Sequence, residues 1–118
     1  MFLQLAHTKL NVYQFSQELA LECYSVTKKF PADERFAMTQ QIRRAAISVH
    51  LNIAEGSSRK TLAERNRYFE ISRGSVIEID SAIGVAFKLE YVSLGEIGNL
   101  GESIIKTFKL LSGMIKRD

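Results

Sequence analysis

At 118 residues, with 46% hydrophobic and 25% charged side chains, the chain has the length of one domain and the make-up of an ordinary globular protein. That excludes disorder, collagen-like repeats and a disulfide scaffold, and a fold of this size buries roughly two thirds of its unfolded surface without disulfides or metals. The net charge of +3 is concentrated: residues 35–73 hold eight basic side chains, seven of them arginine, against Glu55, Glu64 and Glu70, while the flanking thirds are each net −1.

The first predicted helix spans about residues 11–29. Val12, Phe15, Leu19, Cys23, Val26 and Phe30 recur three or four apart and form one apolar stripe. Asn11 with Gln14 is expected to cap its start, Lys28 and Lys29 suit its C-terminal dipole, and Pro31 stops it. Cys23 lies in the stripe and reads as a small core residue rather than a nucleophile.

The second helix is expected over 33–55, with Asp33 as N-cap and Gly56 just beyond its end. Met38, Ile42, Ala46, Val49 and Ile53 share one face. Phe36, Ile47 and Ala54, with Arg43 and His50 among them, fall on another about 120° away, and Leu51 lies further round. A helix apolar over that much of its circumference is buried on more than one side, which points to a neighbouring subunit over Phe36, Arg43, Ile47, His50 and Leu51.

The third helix is expected over 62–91. Thr61 and Glu64 form a capping box, and Leu62, Phe69, Ser72, Val76, Ile79, Ile83 and Ala86 make the arc, flanked by Tyr68, Ile71 and Leu89. Gly74 and Ser75 either admit another backbone or are simply tolerated. The fourth helix is expected over 94–117. Ser93 and Glu96 give a second capping box, Ile97, Ile104, Phe108, Leu111 and Ile115 the stripe, and Lys116 and Arg117 the C-terminal charge. Gly95, Gly98 and Gly101 weaken its first turns. Without a strand or hairpin signal, residues 1–118 read as a single all-α domain: an antiparallel up-down-up-down four-helix bundle.

Little here points to catalysis. Neither His7 nor His50 has a glutamate three residues before it, one cysteine and two histidines do not make a zinc site, and nucleophile-elbow and Walker patterns are missing. No metal, cofactor or small-molecule substrate is expected. The longest uncharged apolar stretch, within Ala45–Ala54, falls far short of the roughly 20 residues of a membrane span. A start without a basic segment and a single cysteine suit the cytoplasm. The loop from Glu55 to Thr61 is an anion-site candidate, since helix N–H groups, Ser57, Ser58, Arg59 and Lys60 converge there; a well-capped helix–helix turn, with Glu55 paired to Arg59 or Arg44, is the simpler reading. Arg44, Arg59, Lys60 and Arg67 are the candidate phosphate contacts, and no base-reading motif accompanies them. The other reading of the arginines is structural, with Arg43 pairing with a carboxylate of a neighbouring subunit.

Phe30-Pro31, Glu34-Arg35-Phe36, Gln41-Ile42-Arg43-Arg44-Ala45-Ala46-Ile47-Ser48, Asn52-Ile53-Ala54-Glu55-Gly56 and Arg59 together resemble the signature of the 23S rRNA intervening-sequence proteins, also called the S23 ribosomal protein family. Leu10-Asn11-Val12-Tyr13-Gln14, Glu18-Leu19-Ala20, Phe69, Gly74-Ser75 and Glu78 are similar to its pattern too, and the resemblance spans about residues 9–117. Ser48-Val49-His50-Leu51 and the glycines of the last helix depart from it. The resemblance implies a closed cyclic homopentamer of four-helix bundles with no established enzyme activity. It further implies a structural cousinship with the accessory variability determinant of diversity-generating retroelements, a basic pentamer that binds nucleic acid and a reverse transcriptase. The expectation is thus a non-enzymatic pentameric accessory to RNA, DNA or a nucleic-acid enzyme, or alternatively a protein–protein scaffold.

Overall fold

A computed structural model of the chain describes residues 1–115, the Lys9 side chain excepted. These residues form α1 (Asn11–Thr27), α2 (Met38–Ser57), α3 (Leu62–Lys88) and α4 (Gly98–Met114), with 3-10 turns at Ala6–Lys9, Ala32–Glu34 and Leu94–Glu96. Each helix packs against the next, and α4 closes the ring against α1, while the diagonal pairs scarcely touch. Contacts across each seam run in opposite directions along the two helices. Thr27 meets Arg43 and Ser16 meets His50 between α1 and α2. Ser75 meets Ser48 and Ser72 meets Val49 between α2 and α3. Arg73 reaches Ser112 between α3 and α4, and Phe15 lies beneath Lys106 between α1 and α4. The fold is the expected antiparallel four-helix bundle. Among the described residues no helix is long and apolar enough to cross a membrane.

The stripes mostly pack as their spacing predicts. Leu19, Cys23, Ile42, Ala46, Val49 and Ile53 are fully buried, because residues three and four apart face the bundle axis together. Burial, with Glu22 nearby, pushes the Cys23 thiol up to about 12, so it stays protonated and unreactive. Two positions differ. Leu62 remains exposed on the first turn of α3, and Phe108 sits at the rim of the α3/α4 seam. In α4 the expected Ile104 and Leu111 are buried at the axis, joined by Leu100 and Thr107.

The helix ends differ more, each for a local reason. Asn11 is the first residue of α1 rather than its cap; Leu10 precedes the helix in extended conformation and offers no side-chain cap. Asp33 does not start α2. Residues 32–34 form a 3-10 turn, and Glu34 receives the Met38 N–H at 3.4 Å and the Tyr91 hydroxyl at 2.9 Å, delaying the helix to Met38. α3 stops at Lys88, not 91. Glu90 adopts φ 65°, and the Tyr91 and Glu90 N–H groups turn back to the Ala86 and Phe87 carbonyls, a Schellman closure made without the usual glycine. The Ser93–Glu96 capping box forms, but around the 3-10 turn, so α4 begins only at Gly98. Thr61 caps α3 as expected, accepting the Glu64 N–H at 3.2 Å. The expected dipole contacts of Lys116 and Arg117 lie outside the described residues.

Gly56 is the most informative correction. It lies inside α2, not past its end. A Cβ there would stand 2.7 Å from Phe69 Cε1 and 3.0 Å from the Tyr68 Cβ, so this glycine allows α3 to close on the last turn of α2. Gly74, by contrast, has open space around it. Gly56→Ala is expected to destabilise the bundle by about 1–3 kcal/mol through overpacking, despite alanine's better helix propensity. Chemical denaturation checks this; a more stable variant would show that Phe69 yields freely.

Candidate functional site

The four candidate phosphate contacts do not form one site. Arg59, Lys60 and Arg67 gather at the α2–α3 turn. Arg44 lies 13 residues before the end of α2, about 20 Å away along the helix, on the outer surface where the α1/α2 and α2/α3 seams meet.

At the turn, the close approach at Gly56 folds the chain back so that Arg59 reaches both helices. Its Nη2 donates to Glu55 Oε2 at 2.7 Å and to the Tyr68 hydroxyl at 3.1 Å. Its guanidinium lies 4.8 Å from the Tyr68 ring centre, and that of Arg67 lies 5.3 Å from it, both within cation–π range. Arg59 is thus already engaged in the turn, as an ion pair and a ring contact. Lys60, Arg65 and Arg67 are exposed, and none of these three forms a salt bridge among the described residues. The turn presents positive charge beside the first N–H groups of α3, where anions are favoured. Tyr68 was not singled out by spacing as a member of this cluster. It meets Arg59 across a turn, and no helical periodicity records such a contact.

Of the five residues expected at a subunit interface, four share one surface. Phe36, Arg43, Ile47 and Leu51 line an open groove of about 620 Å³ between α1 and α2, together with Tyr24, Arg35 and Arg44. Phe36 is 79% exposed and Leu51 54%. Arg43 is held inside its own chain: Nε donates to Thr27 Oγ1 at 2.9 Å, and the guanidinium lies 4.6 Å from the Tyr24 ring centre. Arg35, which was not among the five expected interface residues, joins the rim, stacked 5.1 Å from the Phe36 ring centre.

His50 stands apart from that groove. Its Nδ1 is 2.7 Å from Ser16 Oγ, and its ring lies 4.4 Å from Tyr13, which in turn meets His7 at 5.2 Å. Ser16 commits its one hydroxyl proton to the Tyr13 carbonyl at 2.8 Å, which assigns the His50 contact to an Nδ1–H donor. Burial, then the His7 and N-terminal charges, hold the imidazole below its ordinary value. His50 therefore anchors the N-terminal 3-10 turn within the monomer. Among the described residues no three His, Cys, Asp or Glu side chains converge into a metal cage.

The family model of the 23S rRNA-intervening sequence protein matches residues 8–113. No curated protein matches the sequence. Among solved structures, the chain is similar to a protein of unknown function from the S23 ribosomal protein family of Bacteroides thetaiotaomicron, determined at 1.70 Å resolution. The two share 22% identity over 90% of this chain and 99% of the other, with a TM-score of 0.81, which is a likeness of fold.

A histidine disfavoured as a cation in the fold stabilises it fully above the unfolded value of about 6.5 and loses that contribution as pH falls toward the lower folded value. Relative to His50→Gln, the wild type is expected to lose stability below about pH 6.5 in denaturant melts. Parallel pH profiles would show that His50 is not strained when charged.

Proposed function

The chain belongs to the 23S rRNA-intervening sequence protein family, and from that premise we propose that it is a non-enzymatic, homopentameric accessory that binds nucleic-acid backbones in the cytoplasm. The observation carrying this reading is the α2–α3 turn, where Lys60, Arg65 and Arg67 extend exposed positive charge beside a helix N-terminus. In this reading Lys60 and Arg67 contact phosphates, and Arg59 shapes the turn through Glu55 and Tyr68. Such contacts release counterions and give sequence-tolerant, salt-sensitive affinity. A nucleic-acid enzyme is the natural further partner of such an accessory. In this reading the interior does no chemistry: among the described residues the buried polar side chains are Ser16, Thr27, Thr39, Ser72, Ser103 and Thr107, none of which is a proton-transfer group at neutral pH.

A scaffold without nucleic-acid binding is the second reading, favoured by the apolar α1/α2 groove with its arginine rim. Fluorescence anisotropy with labelled RNA and DNA oligonucleotides separates the two. Wild type is expected to bind at low salt and release at high salt. Lys60→Glu combined with Arg67→Glu is expected to weaken binding about tenfold or more while helix content and assembly mass stay unchanged. Unaltered affinity in that variant would remove the turn from the interface, and no binding by wild type at low salt would leave the scaffold.

A further inference from the structure

Arg44 and the basic turn stand at the two ends of one seam. Ser75 meets Ser48 and Tyr68 packs on Gly56, so the line between α2 and α3 runs from Arg44 down to the turn. At the Arg44 end it opens into a polar groove of about 450 Å³, lined by Gln41, Arg44, Ser48, Ser75 and Glu78 around Ala45. Helix periodicity sets Ser75, Ile71 and Tyr68 on the same side of α3. Ile71, between the two contacts, is 43% exposed.

The groups along this seam keep hydrogen-bonding capacity in reserve. Arg44 is exposed and forms no salt bridge among the described residues. Ser48 Oγ accepts from Ser75 at 3.0 Å and from Asn52 Nδ2 at 3.1 Å, which keeps its own proton for a third group. Gln41 donates to Glu78 Oε2 at 3.0 Å and leaves Oε1 open. At the other end the Tyr68 ring carries the Arg59 and Arg67 guanidiniums. Glu55 is held by Arg59, and Glu64 and Glu78 are outnumbered by Arg44, Lys60, Arg65 and Arg67. The seam as a whole suits an anion.

A base-paired duplex is convex and would rest on the helix ridges without entering the groove. An unpaired strand can lay phosphates on the basic ends and turn its bases inward, onto side-chain surfaces and hydrogen-bonding groups. A carboxylate beside phosphates is repulsive unless it meets a donor, and Glu78 Oε1 is free to accept from an exocyclic amino group such as cytosine N4. We propose that the α2/α3 seam binds single-stranded nucleic acid lengthwise, with phosphates at Arg44, Lys60 and Arg67, bases over Ile71 and Tyr68, and an amino-bearing base at Glu78. This rests on the nucleic-acid reading above and adds to it the state of the strand and its path.

Anisotropy at low salt tests it with labelled oligocytidine, oligouridine and an RNA duplex, each about twelve nucleotides long. Wild type is expected to bind oligocytidine about tenfold tighter than the duplex, since only unpaired bases can stack on the seam, and tighter than oligouridine. Arg44→Ala is expected to weaken that binding about three- to tenfold and lower its salt slope by about one. Lys109→Ala, which removes the same charge from the α3/α4 side, is expected to change neither. Glu78→Gln is expected to erase the preference for oligocytidine over oligouridine. Arg44 and Glu78 are both exposed, so the bundle is expected to survive, as far-UV circular dichroism would verify. Two results would overturn the path and leave the basic turn standing: a duplex bound as tightly as the single strand, or an Arg44→Ala variant that matches wild type while Lys60→Glu with Arg67→Glu loses binding. A base preference unmoved by Glu78→Gln would overturn the contact at Glu78. Wild type that binds none of the three would overturn the nucleic-acid reading itself.

Discussion

The close approach of α3 to α2 at Gly56 organises this molecule. A glycine there lets Phe69 and Tyr68 sit on the final turn of α2 at distances no side chain would permit. From that point the two longest helices run antiparallel, tied again where Ser72 donates to the Val49 carbonyl at 2.7 Å and Ser75 to Ser48 at 3.0 Å. Three consequences follow. The connection shrinks to residues 58–61. Arg59 is turned back onto Glu55 and Tyr68. The α2 stripe Ile42, Ala46, Val49 and Ile53 is drawn wholly inside, leaving the opposite face, with Ile47 and Leu51, turned outward, and Phe36 beside it in the turn that precedes the helix.

The other end is fastened differently. The α1–α2 and α3–α4 connections lie together there and hold each other: Lys29 to Glu96 at 3.0 Å, Tyr91 to Glu34 at 2.9 Å, and the Phe30 and Tyr91 rings 5.5 Å apart. The Ser93 N–H and Lys29 hold the Glu96 carboxyl below its ordinary value, and the carboxylate beside Tyr91 holds that phenol above its own. Exposed ion pairs of this kind contribute little to stability. Their role is to fix where α2 begins, and with it the position of Phe36 and Arg35 at the mouth of the α1/α2 groove. The basic turn and the groove thus stand at separate places along one helix.

Much of this was legible in the sequence. The three-and-four spacing of Leu19, Cys23 and Val26, or of Ile42, Val49 and Ile53, is set by helix geometry and survived packing. The second apolar face of α2 was visible for the same reason, and it became the exposed groove wall. Helix ends were less legible because they depend on partners distant in sequence. Asp33 has the chemistry of a cap, but Glu34 is the one engaged by Tyr91. Glu90 closes α3 where composition offers no glycine. Gly56 reads locally as a terminator and is in fact a contact with Phe69. His50 was grouped with the groove and Arg44 with the turn for the same reason: His50 is drawn to Ser16 and Tyr13 on α1, and Arg44 lies about 20 Å from the turn along α2.

Everything on the outer face of α2 turns on whether a second copy covers it. Light scattering across a concentration series on the unmodified protein tests that most directly. The predicted result is a concentration-independent mass near five times the 13.3 kDa chain. A single 13.3 kDa species at every concentration would contradict it and leave the outer face of α2 uncovered.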